Sequence, residues 1–285
     1  MNILFYSIAF SSIKNIEKLY LKLTEQKSDV SFLLIDHSEN KIDISIIKKL
    51  FPKIVIISQQ NTGYSGAFNV AINFAIKNSF THLIHINDDV DLMENTIENL
   101  INNSYFQESV ITGCEYNSKN EIVSYGSKMN FISGKLFWNK IMDTRVFSSF
   151  SNQGALFSIP IKRFNNFKLP NLFMYCEELY MGFFMKNNGI KCYALGNVKY
   201  IHRGAVVDNE LSNFKIYYIT RNNYIVFKEM TKNYYYLYIY FYFTLRGLTN
   251  FIYRTFQFKF KYSKYLFIGL LHGMLNRSGK YDFKK

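Results

Sequence analysis

Four sites in this 285-residue sequence have residue types and spacing that could do chemistry. Asn87-Asp88-Asp89 follows the apolar run His82 to Ile86. A carboxylate pair after a buried strand is solvated, caps the next helix, or binds a cation. A divalent cation that also meets a diphosphate needs only one or two protein carboxylates, because phosphate oxygens complete its shell. One acid can then take Mn2+ or Mg2+ while its neighbour takes the ribose hydroxyls of a nucleotide. Glu177-Glu178 opens a helical pattern behind the aromatic strip Phe173-Met174-Tyr175. Acids in a first helical turn are favoured by the helix dipole. The same pair on a pocket wall would supply a base that takes the proton of an acceptor hydroxyl. His202 ends the run Val198 to His202 and is either a structural residue or a second protein ligand for the cation. Asn61-Thr62-Gly63-Tyr64-Ser65-Gly66 puts two glycines ahead of a helical pattern. Such a segment is a flexible strand-to-helix turn, or a backbone that closely approaches a phosphate-bearing ligand.

The elements that must position these groups are legible as alternating patterns. Ile3 to Ile8, Val30 to Ile35, Ile54 to Ile57 and His82 to Ile86 read as strands. Ile13 to Leu23 places Ile13, Ile16, Leu19, Tyr20 and Leu23 on one helical face, and Ala67 to Ile76 reads as a second helix. Strands alternating with helices predict an α/β fold with a mainly parallel sheet covered on both faces. Ligands of such sheets bind beyond the carboxyl ends of the strands. Asp36, Asn61 and Asp88-Asp89 all fall at those ends. Val110 to Phe157 predicts shorter, antiparallel additions, and Cys176 to Asn188 a helix stopped at Asn188-Gly189. Lys191 to Ile201 predicts a late strand, followed by helices over about 213–230, 233–256 and 262–276.

The net charge of +13 is unevenly distributed. Ser212 to Lys285 holds 13 Lys and Arg against two acids, so a near-neutral unit precedes a basic, aromatic one. Amphipathic basic helices with aromatic faces suit an anionic membrane surface; the same aromatics also suit the core of a helical cap. They further offer a surface for a homo-oligomer. No apolar run reaches the ~20 residues of a membrane span. Three cysteines without metal-ligand spacing fit a reduced compartment. The start of the chain lacks the pattern of a leader, so the expectation is a cytoplasmic protein peripheral on the inner membrane. Nucleic acid is not an expected partner, because the basic charge lies away from the acidic strand ends and no nucleic-acid motif is present.

Taken in order, these segments resemble the family 2 glycosyltransferases of the GT-A fold, nearest their rhamnosyltransferase and galactofuranosyltransferase branches. Leu34-Ile35-Asp36 resembles the early nucleoside-binding Asp, and Asn61 to Asn69 the N-x-G-x-x-G-x-x-N turn. Asn87-Asp88-Asp89 stands at the D-x-D site, with Asn at its first position. Phe173-x-Tyr175-x-Glu177-Glu178 is similar to F-x-Y-x-E-D, with Glu replacing the final Asp. Ile201-His202 resembles the late metal-binding His, and Tyr218-x-x-Arg221-Asn222 the Y-x-x-R-N stretch. Gly269-x-x-His272-Gly273 to Gly279 resembles the closing segment of the rhamnosyltransferase-like members. Phe184 is apolar where relatives often carry Arg.

The resemblance implies a catalytic unit over 1–212, with a donor half to about 110 and an acceptor half after it, and a basic helical region over 213–285. It implies an inverting, metal-dependent transfer from a UDP- or dTDP-sugar to a lipid-linked or polysaccharide-type acceptor. Asp89 and His202 would hold the metal, Asp88 the ribose and Asp36 the base. Gly63 and Gly66 would bring backbone to the donor with Asn61 fixing the turn, and Arg221 would neutralise the leaving phosphate. Glu178, with Glu177 beside it, would be the base. A sugar-nucleotide pyrophosphorylase, which needs a Gly-rich basic loop after the first strand, is disfavoured by Ile8-Ala9-Phe10-Ser11-Ser12-Ile13 at that place.

Overall fold

Apolar runs without polar alternation suit strands buried on both faces, and three of the four early runs lie in such strands. The computed structural model describes residues 1–10, 13–38, 44–142, 145–204 and 212–283. The first half contains β1 (Ile3–Ala9), α1 (Ile13–Gln26), β2 (Ser31–Asp36), α2 (Ile44–Leu50), β3 (Ile54–Ser58), α3 (Gly63–Lys77) and β4 (His82–Ile86). It continues through β5 (Val90–Leu92), α4 (Thr96–Ile101), β6 (Val110–Tyr116), β7 (Ile122–Ser124), β8 (Ser127–Asn130) and β9 (Lys135–Trp138). Next come β10 (Val146–Ser149), β11 (Leu156–Pro160), α5 (Glu177–Asn187) and β12 (Cys192–His202). Three helices end the chain: α6 (Asn213–Met230), α7 (Asn233–Phe256) and α8 (Phe260–Met274).

The main sheet runs β10-β12-β6-β11-β4-β1-β2-β3, with β5 paired to β12 and β7 to β6. Strands β1 to β4 are mutually parallel, as are β6 and β12, while β11 inserts antiparallel between β4 and β6. Strand β1 shows why both faces are apolar. Ile3 and Phe5 join one core with Leu19 and Leu23 of α1, while Leu4, Tyr6 and Ile8 join another with Phe68 and Ile72 of α3. The α/β class and mainly parallel sheet expected from the sequence are present. The antiparallel β8–β9 hairpin falls within the predicted additions, whereas helices α2 and α4 were not anticipated.

The C-terminal aromatics divide between two environments. Tyr217, Tyr218, Tyr224 and Phe227 of α6 are buried, and α6 packs with α5 through Leu179, Phe183, Ile225 and Val226. On α7 only Ile239 and Gly247 are buried, whereas Leu237, Phe241, Leu245, Ile252 and Phe256 are exposed. Among the described residues no helix is long and apolar enough to cross a membrane.

Candidate active site

The strand register assembles the site. His202 pairs with Val90 across the antiparallel β5–β12 contact, which brings the imidazole beside Asp89. Tyr200 pairs with Glu115 in the parallel β6–β12 contact, which brings Glu115 to the other side of the ring. His202 Nε2 lies 3.2 Å from Asp89 Oδ1, and Nδ1 lies 2.7 Å from Glu115 Oε1. Gly204 leaves this corner open, since a Cβ there would stand 2.4 Å from Asp89 Oδ2.

Burial alone would depress the His202 imidazole, but the hydrogen bonds and charges of Asp89 and Glu115 outweigh it and raise it to about 9. Burial would raise Asp89, yet His202 holds it below the usual carboxylate range. Burial and the adjacent Asp89 charge push Asp88 up to about 6. Asn87 accepts from His85 Nε2 at 2.8 Å, and burial, the largest influence on His85, lowers that imidazole to about 4. An amide at position 87 therefore suits a neutral His partner.

Asp88, Asp89, His202, Glu115, Glu177 and Glu178 line one cleft of about 620 Å³ at the carboxyl ends of the sheet. The donor set Asp89 and His202 fits a divalent cation. Glu115 on Nδ1 fixes the ring so that Nε2 faces the carboxylate, as in carboxylate–histidine–metal arrangements. Among the described residues no three His, Cys, Asp or Glu converge on one metal position, so further ligands would have to come from a bound diphosphate or water.

Opposite the acids of the strand ends stands the segment before α5. Phe173, Tyr175 and Cys176 have φ of 65°, 69° and 72°, three left-handed non-glycine residues immediately before Glu177-Glu178. Such backbone costs on the order of 1–3 kcal/mol per residue and persists only where its surroundings enforce it. Asn222 Nδ2 donates to the carbonyls of Leu172, Met174 and Tyr175 at 2.8–3.1 Å. Arg221 Nη2 donates to the Leu172 carbonyl and Nη1 to the Gly279 carbonyl, both at 2.6 Å. Ser65 Oγ accepts from the Phe173 amide, and Asn69 makes paired hydrogen bonds with the Leu169 backbone.

These contacts correct three sequence expectations. Arg221 is 1% exposed, stacks on Tyr217 and Tyr218, and does not line the cleft, so it clamps the 172–176 segment instead of meeting a leaving phosphate. Gly63 and Gly66 lie inside the first turn of α3 and not ahead of it. Their tight contacts are internal: at φ +74° a Cβ on Gly63 would stand 1.9 Å from the Phe173 carbonyl oxygen, and one on Gly66 2.1 Å from Thr62 Oγ1. Asn61 Oδ1 accepts from the Gly63 amide and starts the helix early. Asp36 is buried at its strand end, where Oδ1 accepts from the Ser38 amide and Oδ2 from the Ser58 hydroxyl. It does not line the cleft.

The sequence reading missed Glu115, Lys215 and Trp138, all of which line the cleft. Phe184, apolar where relatives often have Arg, packs against Phe164 and Phe167. Arg221→Met should lower stability by about 2–4 kcal/mol, because carbonyls served by a charged donor lose it. A thermal melt reads this, and an unchanged midpoint would refute the clamp.

Glu177 is 4% exposed, and its Oε1 has no hydrogen-bond partner among the described residues. Burial, then the Glu178 charge, raises it well above its ordinary 4.5. A carboxyl whose folded pKa is raised contributes most to stability below the unfolded pKa, and that contribution is lost as pH rises through the folded value. Glu177→Gln should therefore raise the melting midpoint at pH 7 and make no difference below about pH 4. A midpoint gap independent of pH would contradict the assignment.

Solved structures with the same fold are GT-A-type glycosyltransferases. GalNAc-T7 with UDP, GalNAc and Mn2+ aligns with a TM-score of 0.61 at 11% identity, over 80% of this chain and 48% of that one. The chain thus spans about half the length of GalNAc-T7. TarS residues 1–349 from S. aureus align at 0.56 with 13% identity, over 87% of this chain and 72% of that one. The mannosyltransferase PcManGT from Pyrobaculum calidifontis, in complex with GDP-Man and Mn2+, aligns at 0.55 with 9% identity, over 97% and 88%. No family model matches the sequence, and no curated protein matches it.

Proposed function

We propose that the chain is a glycosyltransferase that moves a sugar from a nucleotide-sugar donor to a glycan or lipid-linked acceptor by an inverting single displacement. The observation that carries this is the convergence of Asp88, Asp89, His202 and Glu178 on one cleft at the carboxyl edge of the sheet. The motif order favours the rhamnosyltransferase and galactofuranosyltransferase branches, with a UDP- or dTDP-sugar as donor. GalNAc-T7 with UDP and Mn2+ and PcManGT with GDP-Man and Mn2+ support the coarser part of this reading, a nucleotide-sugar donor and a divalent metal.

Asp89 and His202 are the residues that would hold Mn2+ or Mg2+, which supplies positive charge to the donor diphosphate. Asp88 orients the ribose. Glu178 accepts the acceptor hydroxyl proton, and its place supports that role: it lines the cleft and also an adjoining groove that leads away from the strand ends. Glu177 lines only the cleft. Thermal shift with UDP, dTDP, GDP and CMP, each with and without Mn2+, tests the reading. Stabilisation by one nucleotide that needs metal and is lost in Asp89→Ala is expected. No metal-linked stabilisation by any of them would remove the basis for the donor site.

The exposed face of α7 further supports a peripheral place on an anionic membrane at the cytoplasmic leaflet. Leu237, Phe241 and Leu245 on its surface give rings and alkyl chains for the headgroup level, and Arg254, Lys259 and Lys261 give positive charge nearby. Each such cation contributes about 1 kcal/mol near an anionic surface. Sedimentation with vesicles containing anionic lipid should pull the protein down at low salt and release it at high salt. Equal recovery with neutral vesicles would count against the charge contribution.

A further inference from the structure

The groove that adjoins Glu178 has about 480 Å³ of space and is lined by Trp138, Tyr175, Phe243 and three cations, Lys135, Lys215 and Arg246. The cations come from three separate elements, the β8–β9 hairpin, α6 and α7. Contacts between the hairpin and α7 bring them together. Tyr235 and Tyr238 of α7 donate their hydroxyls to the Phe131 and Ile132 carbonyls at 2.6 and 2.7 Å, pinning the hairpin tip to the helix. Gly134, at φ +63°, lets that tip press onto Phe243, Phe227 and Ile239, where a Cβ would collide. Lys215 extends over the Tyr175 ring at 5.8 Å and lines both cleft and groove.

None of the three cations has an ion-pair partner among the described residues, although Glu178 stands at the inner end of the groove. Burial and the Arg246 charge both depress Lys135, as expected of like charges held together without an anion. Like charges are not gathered in a concave site at no cost; a multiply charged anion between them offsets their repulsion. Arg246 adds a planar fork of donors suited to phosphate oxygens.

We infer that this groove is the acceptor subsite and that Lys135, Lys215 and Arg246 bind a phosphate group carried by the acceptor, with Glu178 at the end where the reacting hydroxyl arrives. This rests on the glycosyl-transfer reading for the word acceptor, but not for the anion site itself. A phosphate in an oligosaccharide chain and a phosphate linking a glycan to a lipid share the recognised chemistry.

The chain's single tryptophan, Trp138, lines both cleft and groove and serves as reporter. Its fluorescence is titrated with inorganic pyrophosphate in EDTA, so that metal-dependent binding at the donor site does not contribute. A saturable change is expected, weakened at least tenfold in the Lys135→Gln, Arg246→Gln double variant. That variant should keep Mn2+-dependent stabilisation by the nucleoside diphosphate, showing an intact fold and donor site. Equal pyrophosphate affinity in both proteins, or galacturonate binding as tightly as pyrophosphate, would overturn the phosphate assignment. Hexyl phosphate and glucose 6-phosphate then separate the two sources, and a preference for either upholds the subsite. If no nucleoside diphosphate stabilises either protein, the transfer reading falls while the anion result stands by its own titration.

Discussion

Replacing Glu178 by Gln is expected to lower kcat for sugar transfer by about 10²–10⁴-fold, the usual contribution of a positioned general base. Gln preserves the volume and hydrogen-bonding reach of the side chain but cannot take a proton. Donor affinity, read as metal-dependent stabilisation by the nucleoside diphosphate, should therefore stay within about twofold, since only transition-state binding is removed. The pH dependence carries a sign of its own. Burial, followed by the Glu115 charge, raises Glu178 above its ordinary 4.5, although Lys215 and backbone amides pull the other way. A base works deprotonated, so kcat/KM should fall as pH drops through this raised value, before an exposed carboxylate would begin to titrate. Glu178→Gln should lose that acidic limb. Full activity in Glu178→Gln would shift the role to Glu177, whose variant would then show the loss.

What the sequence made legible follows from how local each signal is. Strands β1, β2 and β4 could be read because a strand buried on both faces is a short apolar run, and Asp36 and Asp88-Asp89 mark where two of those runs end. His202 could be read as a strand end for the same reason. Glu115 could not. Nothing within Val110–Tyr116 marks it, and its partner lies 87 residues away, reached only through the β6–β12 register.

Arg221 shows the opposite failure. An Arg beside tyrosines after a candidate metal ligand reads as an anion contact, yet its partners are backbone carbonyls at Leu172 and Gly279, 49 and 58 residues distant. Its part in the structure is to hold backbone. Two segments read as ligand contacts, Asn61 to Asn69 and Arg221, converge with Asn222 and the closing stretch to Gly279 on the backbone of 169–176. Their common product is the left-handed run that aims Glu177-Glu178 into the cleft. Sequence spacing records that these residues matter together, but not that they act on each other's backbone.

Loss of the Asp89 carboxylate should be as severe as loss of the base, and different in kind. Asp89→Asn keeps the shape of the side chain and removes the charge that both holds His202 and would draw a divalent cation. The donor diphosphate then meets Asp88 and Glu115 without a cation between them, so carboxylate and phosphate repel where they should be bridged. Transfer is expected to fall by about 10³-fold, with stabilisation by nucleoside diphosphate lost at any Mn2+ concentration that saturates the parent protein. Glu115→Gln gives the graded comparison. Gln can still accept from Nδ1 of His202, so the ring stays in place but loses the charge that makes Nε2 a stronger donor to metal. Changes of this kind usually cost about 10–100-fold in metal affinity or activity. The expected pattern is thus a Glu115→Gln protein rescued by excess Mn2+ and an Asp89→Asn protein that is not. Rescue of both would mean that the diphosphate brings its cation without help from Asp89. Rescue of neither would make Glu115 a direct participant, because an orienting residue alone alters how much metal is needed and not whether metal suffices.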